Sequence, residues 1–292
     1  MAYTLHNDGK KVILSVLVGA DPVLIGLKVN HSTIISMKYQ ELFEIVLSTY
    51  GLAEKEHFIK SLSYHHILPD SDIVVLKTIC DNPVDYFASE LIPKALKLYH
   101  GADIYSCYSI NYLVENNKVR FGGLGDICKG FYHARGLITP HYKLTEQELA
   151  EFPKWYESTF LKINSDNCNE KYKAMLRMYD TSYLIGICES EFIMLFTVLE
   201  MLFGKKYSDK ITKQIAKGTS KLIGTSAKER SSIRNQMHKL YETRSRYVHE
   251  GKDVPHEKLF ELREIVRKVL IEIFIRNYHT KDKSLKKLRD SL

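Results

Sequence analysis

The sequence predicts an α+β N-terminal domain, residues 1–139, followed by an all-α helical bundle, residues 140–292. The chain length and a change of texture near residue 140 point this way. At 292 residues the chain is long for one compact domain and comfortable for two. The hydrophobic share of 45% and charged share of 26% are those of an ordinary globular protein and exclude disordered and fibrous classes. Residues 201–292 hold 23 Lys and Arg against 11 Asp and Glu, a net of +12, whereas the first 200 residues hold 19 against 24, a net of −5. Basicity concentrated at one end suggests a polyanion-facing surface, with nucleic acid the first candidate. Charge alone fits a solvated basic surface equally well.

In the first half the apolar stretches are short and β-branched: "KVILSVLV", "STIISM", "SDIVVLKTI", "YSCYSINYLV" and "KVRFGGL", with Gly, Pro, Asn and Asp between them. These read as strands. Helical patterns fall at 38–50 and about 84–99. "GGLGD" at 122–126 lacks the spacing and following helix of a phosphate loop, and reads as a turn.

Past "GLITPHY" the chain becomes helix after helix. "LTEQELAEFPKWYESTFLKI" opens with Thr145 and Glu148 spaced as a capping box, which marks a helix start. Further helices are predicted at about 169–187, 189–204, 208–223, 227–249 and 255–277. "EFIMLFTVLEMLFG" is apolar nearly all the way round, as a central buried helix is, and Gly204 suits its end. Glu200 is the only carboxylate between Phe192 and Phe203. A glutamate buried there needs a partner, because an unpaired buried charge costs several kcal/mol.

The apolar run near the start is broken by Asp21 and Pro22, short of the roughly 20 residues of a membrane helix. No signal-peptide pattern is visible, so a cytoplasmic location is expected, in which the "NHS" sequon at Asn30 carries no meaning. Cys80, Cys107, Cys128, Cys168 and Cys188 are widely scattered and read as reduced core thiols. His65-His66 has no acidic or cysteine partner at ligand spacing, so neither a metal site nor a cofactor is expected.

One stretch stands apart. "YETRSRYVHEG", residues 241–251, ends a long amphipathic pattern with arginines, a histidine and a glycine stop. At about 100° per residue from Ile233, the side chains of Met237, Leu240, Arg244 and Val248 fall within about 60° of it. Arg244 therefore lies on the core-facing stripe. Its structural reading is an ion pair with a buried carboxylate such as Glu200. Arg246 points away; His249 falls roughly 160° round if the helix runs on, but Gly251 predicts a frayed or unwound last turn that frees the imidazole toward Arg244. If the helix stays regular, Arg246 shares a face with His249.

The run "LYETRSRYVHEG" resembles the R-x4-6-H motif of HEPN domains, specifically the Apea-like HEPN pattern in which Tyr, two spacers and Arg-Ser precede a His beside a glycine. Upstream, "KLTEQELAEF", "KYKAMLRMYDTSYL", "FTVLEMLFG" and "KITKQIAKGTSKLIG" follow in the order that family has. The resemblance covers about 140–278. The motif is short, and its place at the end of a long penultimate helix behind "VLEMLFG" is what makes it specific.

What the resemblance implies is a metal-independent endoribonuclease in which two such helices meet across a two-fold axis. Arg244 and His249 take the catalytic positions, Ser245 and Arg246 the substrate-positioning ones, and Glu200 is the structural partner of the site. The partners implied are RNA and a second copy of the chain. The chemistry suits the residues: cleavage by the 2′-hydroxyl needs a base, an acid and positive charge on the phosphorane. Histidine titrates in the useful range, and a guanidinium matches phosphate oxygens. Ser245 replaces the Asn, Asp or His found after the arginine in other HEPN groups. Lys239, Lys252 and the tail "KDKSLKKLRDSL" offer charge for steering RNA.

Two other classes compete. A noncatalytic HEPN-type dimerisation or RNA-binding module would keep the fold and the basic face without needing His249. A metal-dependent nuclease is the weakest, because its D/E-x-K signature occurs only as "DGK" at 8–10 and "EGK" at 250–252, in turn-like settings. Many HEPN ribonucleases belong to antiviral defence or toxin systems. By that analogy the α+β half is a sensor or a restraint, although no residue pattern names its ligand.

Overall fold

A computed structural model of the chain describes residues 10–50, 52–81, 85, 87–101, 104–115, 118–121, 143–163, 168–204, 211–280 and 287–288. The described chain falls into two compact units that divide between Tyr156 and Glu157. The first is built on β1 (Lys11–Val18), β2 (Lys28–Val29), β3 (Ser32–Lys38), β4 (Asp72–Cys80), β5 (Tyr105–Glu115) and β6 (Lys118–Phe121). They form one sheet in the order β2-β3-β4-β1-β5-β6, every neighbouring pair antiparallel.

The five β-branched runs read from the sequence are five of these strands. The central β1 is buried at every interior position, as a strand covered on both faces must be. Its Val12, Leu14 and Val16 join Leu42 and Val46 of α1 (Tyr39–Tyr50) and Phe58 and Leu62 of α2 (Leu52–Tyr64) in one core. The alternate residues Ile13, Ser15 and Leu17 are also buried, on the face where α3 (Ala88–His100) packs against β1, β4 and β5. The sequence reading did not include α2, whose apolar positions are few.

α4 (Glu146–Trp155) begins with the expected capping box, in which the Thr145 hydroxyl accepts from the Glu148 N–H and the Glu148 carboxylate accepts from the Thr145 N–H. It does not open the bundle. It packs with the first unit, where Phe152 and Trp155 lie 5.3 and 5.0 Å from the Tyr99 ring of α3 and Glu148 sits 3.2 Å from the His100 imidazole. The boundary expected near residue 140 lies outside the described residues, as do "GGLGD", Cys128 and all of "KDKSLKKLRDSL" except Lys287 and Leu288. The helical path continues through the π-helical turn Tyr156–Phe160 and the short α5 (Leu161–Ile163).

The second unit is helical: α6 (Glu170–Ile185), α7 (Cys188–Phe203), α8 (Ile211–Ile223), α9 (Ala227–Glu250) and α10 (His256–Ile275). α7 is central, in contact with the other four, and its Phe192, Leu195, Phe196, Leu199 and Leu202 are all fully buried. Gly204 caps it, donating its N–H to the Glu200 carbonyl. Near the start of α7 Glu191 pairs with Arg263 of α10, both essentially without exposure, and the guanidinium lies 4.3 Å from the Tyr183 ring. Tyr172 donates its hydroxyl to the Leu270 carbonyl at 2.7 Å, tying α6 to α10. α8 meets α7 closely at Gly218, where any Cβ would fall 2.3 Å from the Phe203 ring.

The four described cysteines form no disulfide, and burial pushes the thiols of Cys80 and Cys188 up to about 11 and that of Cys107 higher still. Among the described residues no helix is long and apolar enough to cross a membrane.

Candidate active site

α9 is fixed at both ends. The Ser226 hydroxyl accepts from the Glu229 N–H, and the Glu229 carboxylate accepts from the Thr225 N–H at 2.8 Å. At the other end Gly251 takes the left-handed conformation, φ 68°, which a residue with a Cβ adopts only with strain. Its N–H donates to the Tyr247 carbonyl at 3.0 Å.

That cap overturns the frayed last turn expected from the sequence. The helix is regular through Glu250, so the last turn is not unwound and His249 is not released toward Arg244. Five residues on a regular helix separate Arg244 and His249 by about 140° and about 7.5 Å of rise. Arg246 and His249, three apart, share a face and are both exposed. Ser245 is partly buried. A single α9 therefore groups Arg246 with His249, not Arg244.

Arg244 is on the core-facing side, as its place on the stripe requires. Its Nη2 lies 3.2 Å from Oε1 of Glu200, and its guanidinium carbon 5.3 Å from the Tyr241 ring centroid. Tyr241 in turn meets Phe196 edge-on at 5.6 Å. The pairing anticipated from composition is present, but Glu200 is not deeply buried. Both side chains are about a quarter exposed, 23% for Glu200 and 24% for Arg244. Arg244 Nε has no hydrogen-bond partner among the described residues. The guanidinium is thus anchored on one side, its Nε enclosed, while about a quarter of the side chain stays open to water. Val248 departs from the expected stripe: it is 50% exposed, because the buried stripe of α9 ends at Thr243, one turn earlier.

The outward side of this end is basic. Arg246, His249 and Lys252 surround Glu250, whose carboxyl is held below its usual range first by the hydrogen bond from Lys252 and then by the nearby positive charges. Glu250 and Lys252 pair at 2.6 Å, so the acid of "EGK" is engaged by its own lysine. The loop beyond is pinned to α7: the Cys188 thiol donates to the Val254 carbonyl, and Val254 is buried.

The other candidates from the sequence are ordinary. His65 Nδ1 sits 3.0 Å from the Tyr105 hydroxyl. No group of three His, Cys, Asp or Glu side chains arranged to hold a metal occurs among the described residues. Sequence reasoning missed Tyr241 as the platform under Arg244; the i, i+3 spacing was the available signal. No protein-family model, curated protein or solved structure matches the chain.

Proposed function

We propose that the protein is a metal-independent endoribonuclease that acts as a homodimer through its helical unit. The observation that carries this reading is Arg244: a guanidinium anchored by Glu200 and Tyr241 and about a quarter open to water, on the same helix end as the exposed His249. One helix cannot aim both at one phosphate. A second copy of α9 across a two-fold axis supplies the complement and gives the two histidines that the chemistry needs. His249 takes the proton from the ribose 2′-hydroxyl, whose oxygen attacks phosphorus. The partner subunit's His249, protonated, gives its proton to the departing 5′-oxygen as the P–O5′ bond breaks. Arg244 neutralises the nonbridging oxygens. The products are a 2′,3′-cyclic phosphate and a free 5′-hydroxyl.

The test is incubation of the purified protein with RNA in EDTA, with end-group analysis, beside His249→Ala. Cleavage in EDTA, cyclic phosphate ends, and a loss of roughly 10²–10⁴-fold in the variant are expected. Cleavage only with magnesium would sink the reading. A second reading, a noncatalytic dimerisation or RNA-binding module, draws on the Arg244–Glu200 pair, which gives Arg244 a purely structural use. It predicts RNA binding with no cleavage, unaltered by His249→Ala. By analogy, a setting in defence or toxin systems makes the N-terminal unit the sensor.

A further inference from the structure

The charged faces of the helices differ in one respect. On α2, α3, α6 and α10 one lysine each stands three or four residues from a glutamate and pairs with it: Lys60 with Glu56, Lys94 with Glu90, Lys173 with Glu170, Lys258 with Glu261. α8 has no acidic residue at all. Its Lys213, Lys217 and Lys221 are exposed, and none has an ionic partner among the described residues. Spaced by four, they form one row at intervals of about 6 Å along the helix. Like charges at this spacing repel and weaken the helix that carries them. The opposite side of α8 is locked into the bundle by Ile215, Ala216, Gly218, Thr219, Ser220 and Leu222, so the row is rigidly presented.

We propose that the lysine row of α8, Lys213, Lys217 and Lys221, is a binding track for the RNA phosphate backbone, separate from the cleavage end of α9. This rests on RNA being the substrate. The rest of α8 favours a nucleic acid over a membrane surface, because a membrane-surface helix sets large apolar side chains beside its lysines. α8 exposes none. The neighbouring charge agrees: residues 211–250 hold nine Lys and Arg against three Glu.

The experiment is titration of a single-stranded RNA at several salt concentrations with full-length His249→Ala protein, with and without Lys213→Gln, Lys217→Gln and Lys221→Gln together. Holding both in the His249→Ala background separates binding from cleavage. Each lost phosphate contact reduces the slope of log K against log salt by about 0.7, so a decrease of about 2 and roughly hundredfold weaker binding at low salt are expected. The triple Lys→Arg variant should keep the slope. An unchanged slope in a triple Gln variant with the parental melting temperature would overturn the track while leaving RNA cleavage intact. No RNA binding by the His249→Ala parent would overturn both. Wild-type binding to phosphatidylserine vesicles, lost in the Gln variant, together with an unaltered RNA slope would assign the row to lipid instead.

Discussion

Arg244 and Glu200 meet at 3.2 Å across α9 and α7, the contacting Glu200 oxygen covered and each side chain about a quarter open to water. An ion pair a quarter open to water contributes little stability, since solvent screens it. On the proposed function, the pair serves to aim the guanidinium. We predict that Glu200→Gln lowers the unfolding free energy by less than about 1 kcal/mol while reducing RNA cleavage roughly tenfold. Urea unfolding and initial rates check the two halves. A faster variant would mean that Glu200 competes with phosphate for Arg244.

The Glu191–Arg263 pair is a different case. Both groups have left water, and the carboxylate also accepts from the Gly186 N–H at 3.2 Å. Glu191→Ala strands a buried cation and should destabilise the protein by about 3–5 kcal/mol in denaturant unfolding. Replacing both partners with Leu and Met should restore most of that loss. If the double variant is as weak as the single, packing rather than charge explains the site.

His279 sets a pH dependence. Its ring is buried, stacked 4.2 Å from Phe274, and Nδ1 has no hydrogen-bond partner among the described residues. Burial holds its pKa below the ordinary value, offset in part by a bond to the Phe274 backbone. Well above the ordinary histidine value of about 6.5 both folded and unfolded states are neutral and nothing is lost. As the pH falls below that, the unfolded chain binds the proton first and stability drops. Between pH 7.5 and 5.5 the melting temperature of the wild type should therefore fall more steeply than that of His279→Phe. Parallel curves would contradict the assignment.

Gly218→Ala should destabilise the bundle by about 1–3 kcal/mol, because the added carbon overlaps the Phe203 ring. Thermal melts of full-length protein, paired with Phe203→Leu to relieve the overlap, check this. Partial recovery in the double variant is the expected result.

Local signals in the sequence carried most of these elements. Five β-branched runs, the Thr145 capping box and the amphipathic pattern of α9 all name structures whose cause lies within a few residues. The Arg244–Glu200 pair was legible because a carboxylate alone in an apolar helix needs a cation, and one arginine sat on a buried stripe. Glu191 gave no such signal, since an acid in the first turn of a helix is normally a solvated partner of the dipole. Where α4 docks was not legible either. Its apolar face suits a bundle or a sheet equally, and the aromatic contact with Tyr99 that decides it is made across 53 positions of sequence. The expected fraying at His249 did not occur because Gly251 keeps the last carbonyls bonded, and a glycine stop alone does not distinguish the two outcomes.

The glycine under Phe203 bears on the order in which the molecule loosens. Mid-helix glycine is worth about 1 kcal/mol less than alanine in helix propensity, and α8 adds a row of mutually repelling ammonium groups. Such a segment holds its shape only while α7 supports it. In native-state hydrogen exchange, α8 amides should open before those of α7, at a free energy well below that of global unfolding. A polyanion seated on the row would slow that opening, so protection of α8 amides becomes a direct readout of occupancy in the intact protein.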